Sequence, residues 1–101
     1  MSDKYLLKDG VPVPVDDLME WAKGFENETR RMAETAETMV GDVRVSTVFL
    51  GMDISFGHGE PVLFETMIFG GVHDKYQERY HTLEESMIGH EKAVSLVKGE
   101  G

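Results

Sequence analysis

The chain has 101 residues, of which 41% are apolar and 29% charged, and its formal net charge is −9. These values fit one globular domain with a modest core and exclude a disordered or fibrous chain. The acidic balance disfavours direct nucleic-acid binding because phosphates would be repelled over most of the surface.

Two features of the sequence indicate the cellular compartment. No apolar stretch approaches the roughly 20 residues that a membrane helix needs, and the first residues lack the apolar segment of a secretion signal. The chain has no cysteine, which excludes disulfides and thiolate chemistry. We therefore expect no membrane contact and a cytoplasmic location.

The first predicted element is a hairpin arm over residues 1–15. Asp9-Gly10 lies between apolar residues, which is a strong turn signal because glycine readily adopts positive φ. Pro12 and Pro14 cannot donate hydrogen bonds to a neighbouring strand. The arm should therefore be an edge or a tail.

A helix is predicted over residues 16–27. Leu18, Trp21 and Phe25 recur at helical spacing. Asp16 precedes them and is a suitable N-cap, because its carboxylate can accept from a free amide of the first turn.

An antiparallel sheet is predicted over residues 31–81. Segments 43–50 and 62–69 are rich in β-branched and aromatic residues, which is typical of central strands. Segment 76–81 should add a short strand. Residues 31–38 alternate in a way that favours an exposed strand, although their composition also suits a helix.

A C-terminal helix is predicted over residues 82–98. Thr82 and Glu85 have the spacing of a capping box, and Lys98-Gly99 is a stop signal. An apolar stripe follows the cap and includes a histidine: Leu83, Met87, His90, Val94 and Val97. The order ββ-α-ββββ-α predicts a single α+β domain over residues 1–101, with a mainly antiparallel sheet.

Two short helices have few apolar positions with which to cover both faces of such a sheet. A second copy of the chain would bury what they leave exposed. We therefore expect a homo-oligomer, most simply a dimer.

Pairing of segments 62–69 and 76–81 about Gly70-Gly71 predicts a polar cluster. In the simplest register Glu65 lies opposite His81, and Arg79 lies diagonal to Glu65 on the same face. Two interpretations stay open. The pair is either a structural ion pair or a pocket in which Arg79 holds an anion and Glu65 accepts from a hydroxyl or amino group.

Five more residues are candidates for the same pocket. Thr47, Thr66 and Tyr80 can supply neutral hydrogen bonds, although all three are also ordinary strand residues. Asp53 ends a central strand, where it either contacts a ligand or binds its own backbone. His90 should point at the sheet, as a core histidine or as a residue that contacts a ligand or transfers a proton.

The familiar catalytic motifs are missing from the sequence. His58, His73 and His81 are scattered over loops, so we predict neither a metal nor a cofactor. An enzyme that uses Glu65 or His90 in acid-base chemistry stays an alternative, but the sequence favours a protein without catalytic activity.

Several long motifs carry a family resemblance: VSTVFLGMD at 45–53, PVLFETMIFGG at 61–71, YQERY at 76–80 and GH at 89–90. With them the chain resembles a family of small uncharacterised proteins encoded by bacteriophages and prophages. One departure is Ile54, where that family often has histidine after the aspartate, which puts in doubt any role that needs Asp-His as a pair. The resemblance implies a phage origin, the cytoplasm of a bacterial host, and a binding role rather than catalysis.

These observations lead to three functional expectations. The first is an accessory protein, such as a counter-defence protein, that holds or sequesters a small anionic or nucleotide-like ligand. Its pocket would contain Thr47, Asp53, Glu65, Thr66, Arg79, Tyr80 and His90. The second is an acidic inhibitor of a host defence protein or nucleic-acid-binding protein. The third is a small acid-base or metal-dependent enzyme.

Overall fold

The computed structural model describes residues 3–24 and 34–99. The strands are β1 (Tyr5–Lys8), β2 (Val11–Pro14), β3 (Glu34–Val40), β4 (Val43–Phe49), β5 (Phe64–Phe69) and β6 (Gln77–Tyr80), and the helices are α1 (Leu18–Gly24) and α2 (Leu83–Val97). The predicted α+β order is confirmed. The predicted helix end at residue 27 and strand start at residue 31 lie outside the described residues.

The β1–β2 hairpin turns at the predicted dipeptide. Asp9 and Gly10 both have positive φ, 53° and 80°, as a tight type I′ turn requires. Pro12 lies opposite Leu7, and β2 pairs only with β1 among the described strands. The prediction of an edge arm is therefore confirmed.

Helix α1 is short and begins at Leu18, two residues after the predicted start at residue 16. The Asp17 carboxylate, not that of Asp16, accepts from the Glu20 amide at 2.9 Å, so Asp17 is the cap. The Trp21 indole N–H donates to the carbonyls of Tyr5 and Gly51, each at 3.1 Å. One side chain thus joins α1 to β1 and to Gly51, the second residue after β4.

The main sheet has the antiparallel order β3-β4-β5-β6. The two apolar segments are the central strands β4 and β5, as predicted, and the described part of 31–38 is strand rather than helix. The central position of β4 and β5 explains their composition, because a central strand pairs along both edges and favours β-branched residues.

Helix α2 covers one face of this sheet. Its predicted capping box is present: the Glu85 amide donates to the Thr82 hydroxyl, and the Glu85 carboxylate accepts from the Thr82 amide. Two apolar clusters lie beneath α2 and the hairpin. One contains Leu7, Phe49, Leu63 and Phe64, and the other contains Val45, Ile68, Ala93 and Val94.

The other face of the sheet, here called the open face, carries the alternate residues of the same strands. Met39 and Phe69 are 56% and 39% exposed there. Arg44 lies over the Phe69 ring, 4.7 Å from its centre, and pairs with Glu37 at 2.8 Å. No described helix packs on this face.

Candidate functional site

A chain of polar side chains, here called the polar core cluster, separates the two apolar clusters. It consists of Thr38, Thr47, Thr66 and His90. The His90 Nδ1 lies 2.7 Å from the Thr47 hydroxyl, and Nε2 lies 2.8 Å from the Thr38 hydroxyl. The Thr47 and Thr66 hydroxyls are 2.5 Å apart. Each hydroxyl can donate or accept, so both ring nitrogens can be satisfied.

His90 is 3% exposed. Burial lowers the pKa of His90, and the nearby Glu91 carboxylate offsets part of this effect. A neutral imidazole needs one donor and one acceptor, and the threonines on either side can supply both. The cluster therefore holds a neutral core histidine, which was one of the two interpretations open from the sequence.

Tyr80 packs beside this cluster, against the helix backbone. Its ring and hydroxyl occupy the space where a Cβ on Gly89 would lie. The hydroxyl is buried and has no hydrogen-bond partner of good geometry among the described residues. Burial raises the pKa of Tyr80, although the nearby Thr66 hydroxyl opposes the change, so the phenol stays neutral.

Glu65 and Arg79 lie on the open face, away from the polar core cluster. The Arg79 Nε donates to Glu65 Oε2 at 3.0 Å, and the Gln77 amide donates to the same oxygen at 2.7 Å. They form an ion pair. The predicted single pocket is therefore wrong for this pair, because adjacent strand residues such as Glu65 and Thr66 point to opposite faces.

The register also differs from the predicted one. Glu65 lies opposite Arg79 rather than opposite His81. The connection between β5 and β6 folds back tightly, with the Lys75 amide donating to the Ile68 carbonyl and the Asp74 carboxylate accepting from the Gly70 amide. The shift is two residues, an even number, so Glu65 and Arg79 still share a face.

Asp53 closes the loop between β4 and β5. One carboxylate oxygen accepts from the amides of Ser55 and Val62 at 2.8 and 2.9 Å. Burial raises the pKa of Asp53, but these hydrogen bonds, the Ser55 hydroxyl and the positive charge of His81 outweigh it, and the net change is a decrease. The carboxylate binds its own backbone, as the second interpretation proposed.

A groove runs between β6 and α2 and consists of two adjoining cavities of about 450 and 580 Å³. Tyr80 lies by Gly89 at one end, and Tyr76 lies by Leu96 at the other, so α2 runs antiparallel to β6 along it. The residues of this β6–α2 groove are Tyr76, Glu78, Arg79, Tyr80, His81, Glu85, Ile88, Gly89, Glu91, Lys92, Ser95 and Leu96.

The β6–α2 groove is open and mixed in character. Ile88 is 53% exposed. Lys92 has no ion-pair partner in the part of the chain that the structure describes. The Glu85 carboxylate accepts from the His81 amide while capping α2, and the His81 ring donates to the Pro61 carbonyl at 2.8 Å.

The seven predicted site residues therefore occupy four places. Thr47, Thr66 and His90 lie within the core, Glu65 lies on the open face, and Asp53 holds a loop. Tyr80 lines the β6–α2 groove, and Arg79 borders it from β6 while its side chain pairs with Glu65 on the open face. Within residues 3–24 and 34–99 no cluster of side chains suited to a metal ion occurs. The described helices include none long and apolar enough to span a membrane.

Sequence reasoning missed most of the groove. Glu85, Ile88, Lys92 and Ser95 form a second stripe on α2, spaced by three and four residues. The sequence feature that could have indicated this stripe is Ile88, an apolar residue outside the main stripe of α2. It indicates a groove only when β6 is known to lie beside α2.

No family model matches the chain, and neither a curated protein nor a solved structure shows similarity to it. The class defined by the fold is a small α+β protein with one helix-covered sheet face and an open sheet edge beside the helix. The likeness to phage proteins stays a prediction.

Proposed function

We propose that this chain is an acidic, non-catalytic accessory protein that binds another protein through the β6–α2 groove. The proposal rests on the exposed edge strand β6, where Gln77, Glu78 and Arg79 are all exposed. This strand runs beside a groove that is lined by apolar and charged side chains. An open groove of this kind suits a macromolecule better than an enclosed pocket would.

The groups best suited to acid-base chemistry are committed to other contacts. Both His90 ring nitrogens lie against threonine hydroxyls, and the Asp53 carboxylate holds two backbone amides. Glu65 accepts from Arg79 and Gln77. These contacts support binding rather than catalysis as the role of the chain.

The charge of the chain indicates the kind of partner. With a net charge of −9, it should associate fastest with a basic surface, because complementary charge steers encounter. If the chain comes from a phage, a host defence protein or the basic site of a nucleic-acid-binding protein fits this description.

The test is capture of a partner by purified chain from a bacterial host lysate, followed by binding of the purified partner. Ile88→Lys should weaken that binding by about tenfold or more, since it places a charge in the groove. Val72→Lys is the matched control, because Val72 is 94% exposed and lies outside the groove. Equal loss in both variants would contradict a role for the groove.

A small anionic ligand is the second candidate function. Lys92 borders the β6–α2 groove and has no ion-pair partner among the described residues, so its ammonium can bind an anion such as a phosphate. A thermal-shift screen with nucleotides and cyclic oligonucleotides tests this function, because a ligand of the native state raises the melting temperature. No shift at concentrations of several hundred micromolar (about 100 times a micromolar Kd) would exclude it.

A further inference from the structure

The free edge of β6 offers main-chain hydrogen-bonding groups. The carbonyls of Tyr76 and Tyr80 accept from the Ile68 and Leu63 amides of the β5 side. Main-chain groups alternate in direction along an antiparallel strand. The N–H and C=O groups of Gln77 and Arg79 therefore point away from β5, and β6 pairs with no other strand among the described residues.

The α2 side of the β6–α2 groove forms a wall beside this edge, and this wall can contact the side chains of an added strand. On the covered face of the sheet, the exposed Ile88 of α2 stands between the Tyr76 and Tyr80 positions of the β6–α2 groove. A strand added to β6 would direct every second side chain toward this wall and the others toward the open face. One apolar side chain of the added strand would then contact Ile88 and Tyr76.

The charges around that wall favour basic residues on either side of the apolar one. Glu78, Glu85 and Glu91 border the groove, against Lys92 on the same side. Arg79 extends to the open face, where it pairs with Glu65 at 3.0 Å. A lysine or arginine directed at the wall would therefore meet an excess of carboxylates.

A second copy of this chain fits the edge poorly. Suppose that two copies pair β6 with β6 and keep their α2 helices on the same face of the joined sheet. They must then be related by a twofold axis perpendicular to the sheet, which sets one residue of β6 opposite the same residue of the other copy. An axis at Glu78 or at Arg79, the middle of the strand, sets that residue opposite its own copy. Like charges directly opposite are destabilising.

We propose that the partner docks as an added antiparallel β-strand on β6, using an extended basic segment with one apolar side chain against Ile88. This inference rests on the proposed protein-binding function and specifies its recognition mode. Main-chain hydrogen bonds to Gln77 and Arg79 hold the segment, and the β6–α2 groove selects its side chains.

The first test uses the acetylated heptapeptide amide Thr-Lys-Thr-Val-Thr-Lys-Thr, which directs Lys-Val-Lys at α2. In this arrangement the threonine amides face β6. Methylating the two inner threonine nitrogens should weaken binding by about tenfold or more, whereas methylating the valine nitrogen is the matched control. Equal binding of the two methylated peptides would overturn strand addition.

Hydrogen exchange of the full chain gives a second readout. The Gln77 and Arg79 amides should exchange about tenfold more slowly in saturating peptide, since they gain partners. Peptide binding without slower exchange at either amide would overturn strand addition while leaving groove binding in place. Failure of the heptapeptide to bind at millimolar concentration would overturn the inference, and the Ile88→Lys experiment would still decide the proposed function.

A variant pair tests the same amide from the protein side. Gln77→Pro removes an outward N–H, a change that edge strands tolerate. Gln77→Ala loses the same side chain, and with it the hydrogen bond to Glu65, but keeps the amide. Binding should be about tenfold weaker for Q77P than for Q77A, and equal binding by two folded variants would overturn the proposal.

Discussion

At the residue scale, His90 shows how one buried side chain couples stability to pH. Its pKa is lowered by burial, so between the lowered value and the unfolded value of about 6.5 the unfolded chain binds more protons than the folded chain. Stability therefore rises with pH across that window. The contribution is complete above the unfolded pKa and decreases as the pH falls below it.

We expect the free energy of unfolding to fall when the pH is lowered from about 7.5 to about 5.5, a range that crosses the ordinary histidine pKa. Urea denaturation at both values measures it. In His90→Gln this part of the pH dependence should disappear, because the amide does not titrate. A variant that keeps the full pH dependence of the native chain would show that another group is responsible.

Gly89 is required for a close approach rather than for an unusual backbone angle. A Cβ at this position would overlap the Tyr80 ring and hydroxyl. Gly89→Ala should therefore destabilise the chain by about 1–3 kcal/mol, even though alanine favours a helix by up to about 1 kcal/mol. Thermal or urea denaturation provides the measurement.

A double-mutant cycle identifies the cause of that loss. In a Tyr80→Ala background the Gly89→Ala substitution should cost much less, because the clashing ring is gone. The same cost in both backgrounds would mean that Tyr80 is not the obstacle.

At the element scale, the loop between β4 and β5 depends on one carboxylate oxygen. Asp53→Ala removes the acceptor of two amides, and we expect a loss of about 1–3 kcal/mol. Asp53→Asn is the matched variant, since its amide oxygen can accept the same two bonds, and it should lose less. If chemical denaturation showed that Asp53→Asn loses as much stability as Asp53→Ala, this role would be contradicted.

Asp53 also distinguishes local structure from ligand binding. If the carboxylate charge contacted a ligand, Asp53→Asn would impair binding while keeping the loop. We expect both partner binding and fold to survive in that variant, because the β6–α2 groove does not include Asp53. Binding assays on the folded Asn variant give the answer.

At the scale of the whole molecule, the open face is where a second chain would bind. Met39 and Phe69 are exposed beside Arg44, and the predicted dimer would bury them. Light scattering at micromolar concentration should give twice the 11.4 kDa of one chain. Met39→Asp should shift the mass toward the monomer, because it would place a buried carboxylate in the interface.

The control for this prediction is Met52→Asp, which changes a 41% exposed methionine outside the sheet strands. It should leave the assembly intact. A native mass of one chain would contradict the dimer and would leave the β6–α2 groove proposal unaffected, since that surface lies on the other side of the sheet.

The sequence by itself determined the elements and their order. Asp9-Gly10 forms its turn from two residues with positive φ, and the Thr82 capping box needs only residues of one turn. Helical periodicity also predicted that His90 faces the sheet, where it is buried. These features are local, so propensity, capping and spacing suffice to predict them.

Only the tertiary structure decided which polar residues meet. A tight β5–β6 connection set the register that pairs Glu65 with Arg79, and strand alternation separated that pair from Thr66 and His90. The β6–α2 groove formed because β6 is an edge strand that ends just before α2, which then returns along it. Such juxtapositions join residues distant in sequence, and neither periodicity nor composition encodes them.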